Sequence, residues 1–248
     1  MKDFIAAEDR PLLEKHGLAG FDPLWELDLT LVDEPNVERG GISCVYRLEL
    51  DEASYYLKRQ TNHLTRSLTR PFGEPTFARE FRNIRLYRER GIPALDAAFY
   101  GERKAGRETR AMLMTRALDG WRDLHTWLAG WARLPAARRQ AILDAVGELA
   151  RRLHDQGQVH GCFYPKHIFL RERGEGFEAC LIDLEKTRPL RWGRRDRIRD
   201  LEPLVRRASG WGPSDLQRLL SAYLPGGAAV DDWCRQLLRR RSLKEAQG

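Results

Sequence analysis

The sequence predicts an α+β fold in two lobes: a small antiparallel-sheet lobe with one helix over residues 1–116, and a larger helical lobe over residues 117–248. Three observations predict it. Strand-like runs recur through the first lobe, the pattern turns helical from Trp121 onward, and a polar loop at His160 leads through a short hairpin to an apolar strand ending at Asp183. A chain of 248 residues with 42% hydrophobic side chains can bury a full core.

The elements follow in order. Leu24 to Val32 alternates apolar and polar residues, which predicts a half-buried strand. Cys44 to Leu50 and Ser54 to Lys58, separated by Asp51-Glu52-Ala53, predict two further strands joined by a turn. Ahead of them, Glu38-Arg39-Gly40-Gly41-Ile42-Ser43 is no Walker loop. Gly40 and Gly41 there would either let backbone amides approach a phosphate or form an ordinary turn. Lys58 ends an otherwise apolar strand, and Phe77, Phe81, Ile84 and Tyr87 share one face of the helix that carries Glu80. Alone, either charge would read as a surface residue. In this order they match the lysine that holds nucleotide phosphates in kinases and the glutamate that pairs with it. The polar, basic segment from Arg59 to Arg70 is expected to be a lid or binding loop.

Leu95 to Tyr100 and Ala111 to Thr115 predict two more strands. Met112-Leu113-Met114-Thr115, followed by Leu118-Asp119-Gly120, is expected to be a hinge whose backbone binds adenine, with Met114 as the candidate contact. Methionine at this spacing is otherwise plain core. Beyond it, Leu124, Leu128 and Trp131 form one helical stripe, and Ile142, Val146, Leu149 and Leu153 another.

The last helix delivers the chain to His160-Gly161-Cys162-Phe163-Tyr164-Pro165-Lys166-His167. Kinase catalytic loops read H-x-D-x-x-x-x-N, the Asp accepting the substrate proton and the Asn holding a metal ion. Counted from His160, the Asp position is Cys162 and the Asn position is His167. Ile168-Phe169-Leu170 is then a buried strand, Arg171 to Glu178 a hairpin tip, and Asp183 stands where an Mg²⁺ ligand would. The other reading of Asp183 is a helix N-cap.

Lys58-Arg59-Gln60, Phe72-Gly73-Glu74-Pro75, Phe77-Ala78-Arg79-Glu80-Phe81, the His160 loop and Ile182-Asp183-Leu184-Glu185-Lys186 together resemble the bacterial lipopolysaccharide kinase family, and within it the InaA-type branch. The similarity spans roughly residues 37 to 205. It implies a protein-kinase-like fold, ATP with Mg²⁺ as cofactors, and phosphorylation of heptose in the lipopolysaccharide inner core, on a lipid-linked glycan at the inner membrane face. It also implies that Asp200 steadies the catalytic loop, and that His63 and Arg66 meet an anionic acceptor. The departure is Cys162, since a thiol near its ordinary pKa is a poor base at neutral pH. Two readings follow: a sugar kinase that is slow or uses another base such as His160 or Glu185, and a pseudokinase that holds nucleotide or glycolipid.

Composition bounds both. A net charge of +7 and a pI near 9.4 favour polyanionic partners. The run from Leu237 to Lys244 would touch an anionic membrane surface or form a solvated tail. A nucleic-acid binder is disfavoured, because the aromatics lie in apolar stripes. Cys44, Cys162, Cys180 and Cys234 lack CxxC spacing and read as reduced thiols, and with neither a signal-peptide pattern nor a membrane-length apolar run the expected compartment is the cytoplasm.

Overall fold

The structure, a computed structural model, describes residues 3–37, 40–67, 70–224, 226 and 229–245. The chain forms two compact units, Met1–Arg88 with Leu95–Asp119, and Glu89–Ala94 with Gly120–Gly248. The break at Asp119 and Gly120 falls just beyond the 116/117 boundary expected from composition.

The first unit contains β1 (Phe4–Ile5), α1 (Arg10–Lys15), α2 (Phe21–Glu26), β2 (Ile42–Leu50), β3 (Ala53–Thr61), β4 (Leu64–Ser67), β5 (Arg70–Pro75), α3 (Thr76–Glu89), β6 (Ala97–Ala105) and β7 (Glu108–Arg116). Five of the strands make one antiparallel sheet in the order β1-β6-β7-β3-β2, and β4 pairs with β5 as a separate hairpin. The strand expected over Leu24–Val32 is a correction. Its first part belongs to α2, where Pro23 sits in the first turn and forgoes no intrahelical hydrogen bond. Phe21 and Trp25 stack one helical turn apart at 5.4 Å, and Leu24 is fully buried. The alternation further on survives as an extended run with single bridges, Leu31 to Tyr46 and Asn36 to Ser43.

The period-two geometry of β3 then sorts its side chains. Tyr55 and Leu57 join Leu13, Phe21, Leu24, Met112 and Met114 in one apolar cluster. Arg59, in step with them, donates to the carbonyls of Leu24 and Leu27 at 2.8 Å each and so satisfies the end of α2. Tyr56, Lys58 and Gln60 are the alternate set.

The second unit contains β8 (Arg122–Asp123), α4 (Leu124–Ala129), α5 (Ala136–Asp155), β9 (Gln158–Val159), β10 (Ile168–Arg173), β11 (Gly176–Leu181), β12 (Arg188–Pro189), α6 (Gly193–Arg207), α7 (Pro213–Tyr223) and α8 (Val230–Glu245). Ile142, Val146, Leu149 and Leu153 are all buried, so the stripe expected on α5 is the one it presents to the core. Gly147 sits where α7 crosses: a Cβ there would come within 2.5 Å of the Leu219 carbonyl oxygen. The β10–β11 hairpin is paired out to Arg173 and Gly176, so its tip is narrower than the Arg171–Glu178 span expected. Residues 89–94 attach to this unit through the Leu181 amide, which donates to the Pro93 carbonyl at 3.1 Å. Among the described residues no helix is long and apolar enough to cross a membrane.

Asp196, at the start of α6, is fully buried and accepts from Arg188 at 2.9 Å and from the amides of Arg191 and Trp192. The Arg188 guanidinium and these amides hold its carboxyl far below the usual carboxylate range. A carboxyl with a depressed folded-state pKa contributes stability above its unfolded pKa and loses it as pH falls. Asp196→Asn is therefore expected to destabilise the protein at pH 7, with the gap to wild type narrowing as pH drops below about 4, measured by urea denaturation across pH.

Candidate active site

In the first unit the Lys58 ammonium donates to Glu80 Oε1 at 2.7 Å, and the Glu80 side chain is 5% exposed. The pair is held by the strand that carries Lys58. Gln60, two residues along β3, accepts from the Thr76 hydroxyl at 2.8 Å and from the Phe77 amide at 3.1 Å, and its own amide donates to the His63 carbonyl. These bonds fix the first turn of α3, so Glu80, one turn further on, meets Lys58. Phe77, Phe81, Ile84 and Tyr87 are all buried, and Phe81 stacks on Tyr100 at 4.4 Å.

Three expectations for this unit change. Gly41 is required by chain packing, because a Cβ there would lie 2.3 Å from the backbone of Asn62 and His63. Gly40 is exposed with φ +76°, a conformation that favours glycine, while Glu38 and Arg39 lie outside the described residues. Met114 is fully buried on β7, paired with Leu57 of β3 on one side and Phe99 of β6 on the other. Its backbone is thus committed to the sheet, and the linker begins only after Arg116. His63 is buried with Nδ1 against Thr76 Oγ1 at 3.2 Å, a place in the α3 anchor, and the Arg66 side chain is outside the described set.

In the second unit the loop is assembled around Asp200 of α6. One carboxylate oxygen accepts from the His160 amide at 2.8 Å and faces His154 Nε2 at 3.1 Å, and the other accepts from the Gly161 amide at 2.8 Å. Burial alone would push this carboxyl up. The hydrogen bond and charge of His154 and the loop amides outweigh that and hold it below its ordinary value. His154 is positioned in turn by the Tyr223 hydroxyl at 2.8 Å. Gly161 has φ +81°, and a Cβ on it would lie 2.5 Å from the Lys186 carbonyl oxygen, so the loop touches the segment after Asp183 at a point where only glycine fits.

The hydrogen bonds assign both loop histidines. His160 Nε2 lies 2.9 Å from the Ile182 carbonyl, which only accepts, so Nε2 carries the proton and Nδ1 accepts from the Cys162 amide at 3.3 Å. Both nitrogens of this fully buried ring are engaged, and burial pushes its pKa down. His160 therefore positions the loop and has no nitrogen to offer as a base. His167 Nδ1 donates to the Cys162 carbonyl at 2.9 Å, which leaves Nε2 facing Asp183 Oδ2 at 3.3 Å. Burial lowers the His167 pKa against the pull of Asp183. Asp183 itself has φ 59° and ψ 64°, a left-handed conformation unusual for a residue with a side chain, and its carboxylate is 41% exposed. Cys162 is 1% exposed, its sulfur 4.0 Å from Asp183 Oδ2, and burial pushes the thiol up to about 12. It is a neutral thiol, unsuited to accept a proton.

Two features escaped the sequence reading. Gln60 lies in the Lys58-Arg59-Gln60 run and shares the face of Lys58, but the anchoring of α3 by Gln60 and of the loop by His154 depends on partners distant in the chain. A groove of about 730 Å³ is lined by five arginines (Arg194, Arg195, Arg235, Arg239 and Arg240) with Ile198, Asp232 and Gln236. It extends the basic terminal run expected from sequence onto α6.

The two-unit α+β architecture is consistent with a protein-kinase-like two-lobe fold. Residues 22–223 match the model of the lipopolysaccharide kinase (Kdo/WaaP) family, and the chain belongs to that family. It is 36% identical over 170 residues to Protein InaA of Escherichia coli (strain K12), covering 68% of this chain and 78% of that protein. It is 26% identical over 129 residues to the lipopolysaccharide core heptose(I) kinase WaaP of Pseudomonas aeruginosa, covering 47% and 48% respectively. A solved structure, WaaP in complex with acyl carrier protein, superposes with a TM-score of 0.72 at 22% identity, over 100% of this chain and 99% of that one.

Removing the Asp200 carboxylate strands two loop amides and the His154 ring. Asp200→Ala is expected to cost about 3 kcal/mol or more in chemical denaturation. Iodoacetamide at pH 8 is expected to modify the half-exposed Cys44 well before the buried Cys162, read by peptide mass spectrometry; equal rates would contradict the burial of the loop.

Proposed function

We propose that this chain is an ATP-dependent phosphotransferase acting on a sugar, heptose by family analogy, of the lipopolysaccharide inner core. The observation that carries the reading is the Lys58–Glu80 ion pair, which matches the arrangement kinases use to hold nucleotide phosphates. Lys58 would bind those phosphates and Glu80 would orient it. Asp183 and His167 would hold a divalent cation, whose charge neutralises the transferring phosphoryl group when bound. A nitrogen and a thiol beside one carboxylate fit a divalent ion but depart from the all-oxygen surroundings that the expected Mg²⁺ prefers.

Catalysis without the loop aspartate is slow but not abolished in this reading. Loss of a positioned base costs roughly 10²–10⁴-fold. Phosphoryl transfer relies chiefly on alignment and electrostatics, and the anchoring of the loop by Asp200 supports alignment. The arginine groove supports contact with an anionic surface, such as the phosphates of a lipid-linked glycan at the inner membrane face. The second reading, a pseudokinase that binds nucleotide or glycolipid as an interaction module, is favoured by one observation, the buried neutral thiol of Cys162.

Radiolabelled ATP and dephosphorylated core lipopolysaccharide distinguish the two. Slow transfer is expected from the wild type, lost in Lys58→Met and raised at least tenfold in Cys162→Asp. If neither wild type nor Cys162→Asp transfers phosphate while nucleotide still binds, the pseudokinase reading replaces the first.

A further inference from the structure

We propose that Cys162, His167 and Asp183 form a three-ligand site for a borderline-soft divalent transition ion of the zinc type, in preference to magnesium. This deepens the proposed function and rests on its assignment of Asp183 and His167 as the cation-holding pair. It does not depend on phosphate transfer.

The first argument is the hydrogen bonding of His167. His167 gives its Nδ1 proton to the Cys162 carbonyl and turns Nε2 toward the Asp183 carboxylate 3.3 Å away. The nitrogen and the oxygen thus converge as two ligands of one ion do. A histidine with one nitrogen bonded to a backbone carbonyl and the other directed at a carboxylate has the outer hydrogen bond typical of a metal ligand.

The second argument is the thiol. Cys162 Sγ lies 4.0 Å from the same Asp183 oxygen, and the ligating atoms of Cys162, His167 and His160 fall within 4.8 Å of one another. A tetrahedral zinc ion with bonds of about 2.0–2.3 Å sets neighbouring ligand atoms roughly 3.3–3.6 Å apart. The nitrogen-to-oxygen edge already has that length, and the sulfur-to-oxygen edge exceeds it by a few tenths of an ångström. His160, with both nitrogens engaged, supports the loop without ligating.

The third argument is donor chemistry. One imidazole, one thiol and one carboxylate suit zinc, whereas magnesium prefers oxygen and sheds water reluctantly. On ligation the thiol gives its proton to solvent and the sulfur becomes an anionic ligand. Three protein ligands leave a fourth position open, as in catalytic rather than structural zinc sites, and the exposed side of Asp183 is where a phosphate oxygen or water would take it.

The test uses the full chain stripped with a chelator and titrated with Co²⁺, without nucleotide. A thiolate-to-cobalt charge-transfer absorption in the near ultraviolet is expected, abolished by equimolar Zn²⁺ and resistant to a roughly thousandfold excess of Mg²⁺. Cys162→Ser is expected to lose the band and to weaken zinc binding by more than ~100-fold, while Cys44→Ser keeps both. Cobalt binding without the thiolate band, or displacement by comparable Mg²⁺, would overturn the inference and leave the divalent site of the proposed function standing. If no divalent ion binds the wild type, the inference and the cation assignment fall together. The wild-type spectrum decides between these outcomes even if the serine variant does not fold.

Discussion

Asp200 is a carboxylate taken out of water, and the geometry of the catalytic loop depends on how its desolvation is offset. Its two oxygens gather the first two amides of the loop and the imidazole of His154, so that α5, α6 and the loop meet at one point. With those amides fixed, His160 can reach the Ile182 carbonyl, and the strand before Asp183 is drawn against the loop. Ile182 is also bonded through its amide to the His167 carbonyl at 3.1 Å, so the loop and the segment leading into Asp183 are fastened twice. The left-handed backbone of Asp183, a conformation Asp tolerates better than most residues, is held in place by these two bonds.

The first unit solves a parallel problem with neutral groups. Alternation along β3 sends Tyr55, Leu57 and Arg59 to the N-terminal helices and sets Lys58 and Gln60 together on the alternate positions, so a single strand both seals the core and builds the ion pair. Gln60 anchors the helix start through side-chain hydrogen bonds, and burial of the Glu80 carboxylate makes the direction of α3 matter. A shift of one residue in the register of β3 would exchange the two faces and destroy both functions.

Much of this was legible in the sequence for a physical reason: periodicity reports burial. The apolar face of α3 and the stripe on α5 are local patterns found where expected, whereas the strand expected to end at Lys58 runs on to Thr61, and β4 takes up part of the segment from Arg59 to Arg70 expected to be a lid or binding loop. The spacing from His160 to His167 and Asp183 was legible as well, because a loop built to converge on one point constrains residue type at fixed intervals. What was missed depends on distant partners. The run from Leu24 was read as a strand because its alternation is real, yet the carbonyls at the end of α2 are satisfied by Arg59, a residue far along the chain. Met114 was read as a hinge contact because it precedes the linker, whereas strand pairing on both sides absorbs its backbone. Gly41 drew attention as a phosphate contact, and nothing local reveals that it lies against the end of β3.

Gly161 carries a consequence for regulation. Many kinase loops place an arginine at this position, H-R-D, where a side chain can respond to charge elsewhere in the enzyme. Here the positive φ and the Lys186 carbonyl leave room for none. No side chain at this point of the loop can therefore reach out to pair with a charge elsewhere in the protein.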